Sequence, residues 1–290
     1  MPAVPVSEVV LDGLAFGEGP RWRDGRLWFS DMHDNAVKGY TPATGALDVV
    51  VAVPGKPSGL GWDTDGRLLI VSMDDRRLLR LADGDLTEVA DLSGYTAQPI
   101  NDMVVSPAGI AYIGSFGFDL HAGESPKATV LLAVDVASGA HRVAADEMRF
   151  PNGMVITPDG STLIVGESFG GCLTAFTIGS DGSLADRREF AGLDAGAVPD
   201  GICLDADGAV WAQSGPMESA CVRVREGGEL LDRVELDRSP FSCALGGPDG
   251  TTLFILAADW RGFEQIEQAI ADRTGQVLVA DAPAPRAGWP

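Results

Sequence analysis

The chain has 290 residues, 45% hydrophobic and 22% charged, the composition of a globular protein rather than a disordered or fibrous one. A net charge of -21 argues against nucleic acid and anionic membranes as partners, because both are polyanions. No apolar run approaches the length of a membrane span.

The opening segment, Met1 to Gly13, lacks the basic start and long apolar stretch of a signal peptide, so a cytoplasmic protein is expected. Within it, Val6–Leu11 reads as a strand. From there the chain repeats itself. Six short segments end in a turn glycine and run into an apolar strand: EGPRWRDG, SGLGWDTDG, NDMVVSPAG, NGMVITPDG, DGICLDADG and SCALGGPDG. Their closing glycines (Gly25, Gly66, Gly109, Gly160, Gly208, Gly250) are 41, 43, 51, 48 and 42 residues apart. That period, filled with short β-rich pieces, is the period of propeller blades.

The fourth unit shows the pattern best. Asn152 begins a strand that runs to Thr157, and Pro158-Asp159-Gly160 turns it, with proline presetting φ and glycine taking the left-handed position. Thr162 to Val165 returns, Cys172 to Ile178 follows, and Leu184 to Phe190 is the fourth strand. Six such units predict an all-β, six-bladed β-propeller of four-stranded antiparallel blades, a single domain over residues 1–290. Val6–Leu11 is expected to complete the last blade and close the ring. Two departures are expected. An insertion over Gly117–Lys127, containing His121, is either a cover over a site or a surface loop, and Phe263–Asp272 is a helical excursion in the last unit. The cysteines (Cys172, Cys203, Cys221, Cys243) form no C-x-x-C pair and read as buried free thiols.

Aligning the units on their closing glycines places Ser58, Asn101, Asn152, Asp200 and Ser242 eight residues before the glycine, and Glu18 seven before it in the first unit, whose turn is one residue shorter, in one column at the start of each innermost strand. In a ring this column converges on the axis. Glu18, Asn101, Asn152 and Asp200 then offer an all-oxygen donor set around a central metal site, which suits calcium, magnesium or manganese better than zinc. Ser58 and Ser242 read as small polar spacers. The second strand of each unit returns to the same face, bringing Met32, His33, Met73, Phe116, Phe169 and Trp260 to the rim of the pocket. A polar floor under apolar walls suits a small, partly apolar organic substrate.

The segments Glu18-Gly19-Pro20-x-Trp22, Asn101-Asp102, Pro151-Asn152-Gly153-Met154 and Pro199-Asp200-Gly201-Ile202 resemble the gluconolactonase/regucalcin (senescence marker protein) family, over about Leu11 to Trp260. The resemblance implies a six-bladed propeller with one central divalent metal. It makes Glu18, Asn152 and Asp200 ligands and sets Asn101 at the mouth, touching substrate or completing the shell. Sugar-lactone members carry an arginine shortly before the Asn-Asp pair, whereas this chain has Gln98-Pro99-Ile100. A less hydroxylated or aromatic lactone is therefore as well matched as a sugar lactone.

The function expected is metal-dependent hydrolysis of a lactone or related ester. The cation polarises the carbonyl, water attacks, and either Asp200 or His33 is the base. Two other readings fit the same column: a phosphotriesterase-like hydrolase, and a non-catalytic calcium-binding propeller.

Overall fold

The computed structural model describes residues 3, 4, 6–120, 122–194, 196–214 and 219–287. His121 lies outside the described residues. Six sheets follow one another along the chain. The first is Gly17–Arg23, Arg26–Asp31, Ala36–Thr41 and Ala46–Ala52, and the second Pro57–Trp62, Leu68–Ser72, Arg77–Ala82 and Asp85–Asp91. The third is Ile100–Val105, Ile110–Ser115, Thr129–Asp135 and His141–Met148, and the fourth Pro151–Ile156, Thr162–Glu167, Cys172–Ile178 and Leu184–Gly192. Blade five is Cys203–Leu204, Val210–Gln213, Ala220–Val224 and Leu230–Glu235. Blade six is Ser239–Gly246, Thr252–Ala258 and Gly275–Asp281, with Val6–Leu14 as its antiparallel outer strand. The innermost strands touch their neighbours in cyclic order, and blade six packs on blade one. The architecture is a six-bladed β-propeller. Ala3–Val4 adds a short parallel strand to the edge of blade five, which the repeat pattern does not announce.

Burial falls from axis to periphery. Ile110–Ser115, second in its blade, is buried throughout, whereas Ala46–Ala52, fourth in its blade, is largely exposed. The inner strands are covered on both faces by adjacent blades, so they carry near-continuous apolar runs. The core accordingly forms six separate interfaces. Leu60 and Ile70 meet Val37 between blades two and one, Leu69 and Val71 meet Ile113 between two and three, and Phe254 and Leu256 meet Leu27 and Phe29 between six and one. Among the described residues each apolar cluster lies between two blades, which leaves the axis to polar side chains.

The turns are local constructions. At Pro158-Asp159-Gly160 the Gly160 amide donates to the Thr157 carbonyl at 2.8 Å, and the Asp159 carboxylate accepts from Thr157 Oγ1 at 2.6 Å and from the Ser161 amide at 3.1 Å. These bonds hold the Asp159 carboxyl down at about 2. The insertion in blade three contributes to the interior: Phe118 is buried and rests edge-on against Phe169, with ring centroids 5.1 Å apart. In blade six the excursion is a 3-10 turn, Phe263–Gln265, followed by one short helix, Ile266–Ala271. Among the described residues no helix is long and apolar enough to cross a membrane.

Candidate active site

The ten side chains singled out for the site from the sequence line a single cavity of about 390 Å3 at one end of the ring. Glu18, Asn101, Asn152 and Asp200 are on its floor, and Met32, His33, Met73, Phe116, Phe169 and Trp260 are in its wall. Two segments read as departures also reach it, through Leu120 of the insertion and Ile266 of the short helix.

The column forms a hydrogen-bonded belt. Ser30 Oγ of blade one donates to the Ser58 carbonyl at 2.6 Å, and Ser58 Oγ donates to Asn101 Oδ1 at 3.0 Å. Asn101 Nδ2 donates to Asn152 Oδ1 at 2.9 Å, and Asn152 Nδ2 donates to Ser168 Oγ at 3.1 Å. Ser168 Oγ in turn donates to the Pro199 carbonyl, one residue before Asp200, at 2.7 Å. Each amide thus has a fixed orientation, and each amide oxygen keeps a second lone pair. Ser58 is therefore more than a spacer: it is buried away from the cavity and orients Asn101. Ser242, also buried, has no hydrogen-bond partner for its hydroxyl among the described residues.

Asp200 is positioned differently from the others. The innermost strand of blade five begins only at Cys203, so no ladder of its own sheet holds Asp200. The Gln213 side chain substitutes: its Oε1 accepts from the Asp200 amide at 2.8 Å, and its Nε2 donates to the Gly201 carbonyl at 2.7 Å. Blade six completes the support, where Gly201 N donates to the Phe241 carbonyl at 2.9 Å. Close approach between inner strands explains the glycines that follow the column residues. A Cβ on Gly153 would stand 2.3 Å from the Asp200 carbonyl oxygen, and one on Gly201 would stand 1.7 Å from Ser242 Oγ.

The floor is electrostatically unbalanced. Burial, then the charges of Asp200 and Asp102, push the Glu18 carboxyl well above its ordinary range. Burial and the charge of Asp102 push Asp200 up to about 8, with hydrogen bonding from Asn152 opposing. The exposed part of Asp200 faces the cavity. Arg21 lies three residues along the strand from Glu18, where its guanidinium pairs with Asp102 instead, Nη2 to Oδ1 at 3.1 Å. Among the described residues no three His, Cys, Asp or Glu side chains gather to hold a metal. A cation at this floor would have to use two carboxylates and the amide oxygens beside them. Its two positive charges would match the two carboxylates, and oxygen donors of this kind fit a hard divalent ion.

His33 sits on a short 3-10 turn, Met32–Asp34, half-buried and edge-on to Phe16 with centroids 5.8 Å apart.

A model of the SMP-30/Gluconolactonase/LRE-like region matches residues 16–259. The chain belongs to this family. It is 28% identical over 263 residues to pentonolactonase XacC of Haloferax volcanii, covering 89% of this chain and 86% of that protein. It is 28% identical over 261 residues to the 6-deoxy-6-sulfogluconolactonase of Pseudomonas putida, covering 86% of each. Among solved structures, the calcium-binding protein regucalcin from Agrobacterium tumefaciens superposes with a TM-score of 0.79 at 23% identity, over 99% of this chain and 98% of that one. That likeness is one of fold.

Several residues at this family-member's site escaped the sequence reading. Phe16, Lys56, Pro99, Phe150, Val198 and Pro240 all line the cavity, and each lies two residues before a column position. Their constant two-residue offset from the column is the signal, but only Pro240 of the six lies in a strand, and Lys56 and Phe150 have left-handed φ values of 61° and 62°, so strand alternation does not give it. Gln213 and Arg21 act through contacts between distant segments, which no local pattern announces.

Proposed function

We propose that this protein is a divalent-cation-dependent hydrolase that opens a lactone ring. The observation that carries the reading is the floor: the buried Glu18 and the half-buried Asp200, both raised, beside two oriented amides at the bottom of a 390 Å3 cavity. Two curated relatives named as lactonases support it.

Glu18, Asn152 and Asp200 would hold the cation, with Asn101 completing the set or meeting substrate. Calcium is the first candidate, and magnesium, manganese and zinc are alternatives. A divalent cation bound there supplies Lewis acidity to the lactone carbonyl and lowers the pKa of a water.

The remaining steps belong to the chain's own residues. The apolar wall confines the lactone over the floor and limits the water that reaches it. The Asp200 carboxylate, facing the cavity, accepts the proton of the attacking water as the new C–O bond forms. The ring C–O bond then breaks, and the proton passes to the departing ring oxygen, giving a hydroxy acid. His33 is the second candidate for that proton, from the wall.

The test is proton release from a lactone panel by protein stripped with chelator and resupplied with calcium, magnesium, manganese or zinc. Cation-restored turnover that is lost in Glu18→Gln and in Asp200→Asn is expected. Tight cation binding without turnover of any lactone would overturn the reading and favour a binding propeller. Turnover of phosphotriesters alone would reassign the same floor to that chemistry.

A further inference from the structure

The wall of the cavity is built from two rings of side chains, and together they describe the substrate. The lower ring lies two residues before the column and reads Phe16, Lys56, Pro99, Phe150, Val198 and Pro240, apolar at five of its six positions. Its one charge is internally matched, because Lys56 Nζ pairs at 3.0 Å with Asp74 Oδ2, another lining residue. The upper ring, at the far ends of the second strands, adds Met32, Met73, Phe116, Phe169 and Trp260.

The aromatic side chains gather at two places. Blades three and four contribute Phe116 and Phe150, with centroids 4.4 Å apart, and Phe169, whose centroid is 5.3 Å from that of Phe150. Blades six and one contribute Phe16 and Phe241, 4.6 Å apart, and Trp260, 5.8 Å from Phe241. In a ring of six blades these two groups stand on opposite sides of the axis, so they face each other across the cavity.

The wall's polar groups are His33, the Lys56–Asp74 pair and Ser168, which is already committed to the belt, so a polyhydroxylated ring placed between the clusters would give up more water than it regains in donors and acceptors. A flat aromatic group would meet ring faces and edges on both sides. We infer that the preferred substrate is a lactone bearing an aromatic substituent, held between the Phe150 and Phe241 clusters while its ester sits on the floor. The inference rests on the hydrolase reading above for the reaction and on the wall alone for the guest.

The experiment has two arms. The first compares kcat/KM, by proton release with the activating cation, for γ-phenyl-γ-butyrolactone, a γ-hexyl analogue, unsubstituted γ-butyrolactone and a pentono-1,4-lactone. The phenyl lactone is expected to exceed the pentonolactone by about 100-fold, the discrimination expected when hydroxyls meet an apolar wall. Phe169→Ala removes a side chain that is 40% exposed and touches Phe118 and Phe150, and a thermal melt checks that the variant is folded. It is expected to lower the phenyl-to-unsubstituted ratio about 10-fold. The second arm measures binding of the non-hydrolysable 5-phenyl-2-pyrrolidinone by calorimetry, with 2-pyrrolidinone as control. Preference for the pentonolactone, or for the hexyl over the phenyl lactone, would overturn the inference and leave the hydrolase reading standing. Binding of the phenyl lactam without turnover of any lactone would do the reverse.

Discussion

Arg21 and Asp102 reach past blade two to form an ion pair at 3.1 Å, each side chain 4% exposed. The guanidinium also donates to the Met103 carbonyl, and Asp102 Oδ1 accepts from the Met103 amide at 2.8 Å. Burial raises the Asp102 carboxyl, and Arg21 opposes that rise. The pair therefore ties blade one to blade three, and the charge it keeps on Asp102 bears on both floor carboxylates.

Breaking this pair on one side should be costly. Asp102→Asn leaves a buried guanidinium without its carboxylate, and a loss of about 3–5 kcal/mol is expected in urea unfolding. The double substitution Arg21→Met with Asp102→Leu should recover most of that loss. Equal instability in single and double variants would mean that packing, not charge, is what the pair supplies.

The chelated protein should have a distinctive pH profile. Glu18 and Asp200 both bind protons more tightly folded than unfolded, with Asp200 at about 8. Their contribution to stability is thus full below about pH 4, the ordinary carboxylate range, and is lost as pH rises through about 8 for Asp200 and through the raised range of Glu18. Glu18→Gln removes one of the two repelling charges. In the presence of chelator its Tm should exceed that of the unmodified protein, by a margin that grows between pH 5 and pH 8.5. A margin independent of pH would contradict the coupling of these two groups.

Gln213 makes both side-chain bonds that fix Asp200 and Gly201, from a position that is 1% exposed. Gln213→Met keeps the volume and deletes both bonds. A destabilisation of about 1–3 kcal/mol is expected from the unpartnered Asp200 amide, since the Gly201 carbonyl keeps its bond from the Cys243 amide at 3.2 Å. A fall in kcat of about 100-fold should accompany it, because Asp200 loses its placement. Unfolding and steady-state lactone hydrolysis on one preparation would check both, and a stable variant with full kcat would show that the backbone bonds from Gly153 of blade four and to Phe241 of blade six suffice.

Gly153→Ala pushes a methyl group into the backbone carbonyl of Asp200, 2.3 Å away, where no flexible side chain can give way. Strain of about 1–3 kcal/mol is expected. Gly25→Ala offers the contrast, since nothing lies within 4 Å of its added Cβ and only its φ of 75° resists. Lactone hydrolysis should fall in the first variant and stay level in the second, once both are compared well below their melting temperatures.

The blade count and the floor were legible because they depend on local, repeated features. Each inner strand is announced by its turn, such as Pro158-Asp159-Gly160, and the register of six turns aligns Glu18, Asn101, Asn152 and Asp200 without knowledge of what packs where. The return of the second strand carried Met32, His33, Met73, Phe116, Phe169 and Trp260 to the cavity by antiparallel geometry alone. The ring containing Phe16, Phe150 and Val198 was less legible, because these residues precede the inner strands and Phe150 takes a left-handed φ of 62°, so strand alternation does not reach them. Ser58 as an orienting partner, Gln213 as a substitute ladder, and the Arg21–Asp102 pair were not readable. Each depends on which atoms of different blades meet, and that is settled by the ring as a whole.

Each blade gives one residue to the lower wall and, two positions later, one to the column, and this has an evolutionary consequence. A substitution at Phe16, Pro99 or Val198 alters what the cavity accepts while the column position two residues away keeps its side chain. Such a wall can change one point mutation at a time over an unchanged floor, so relatives that share a floor need not share a guest.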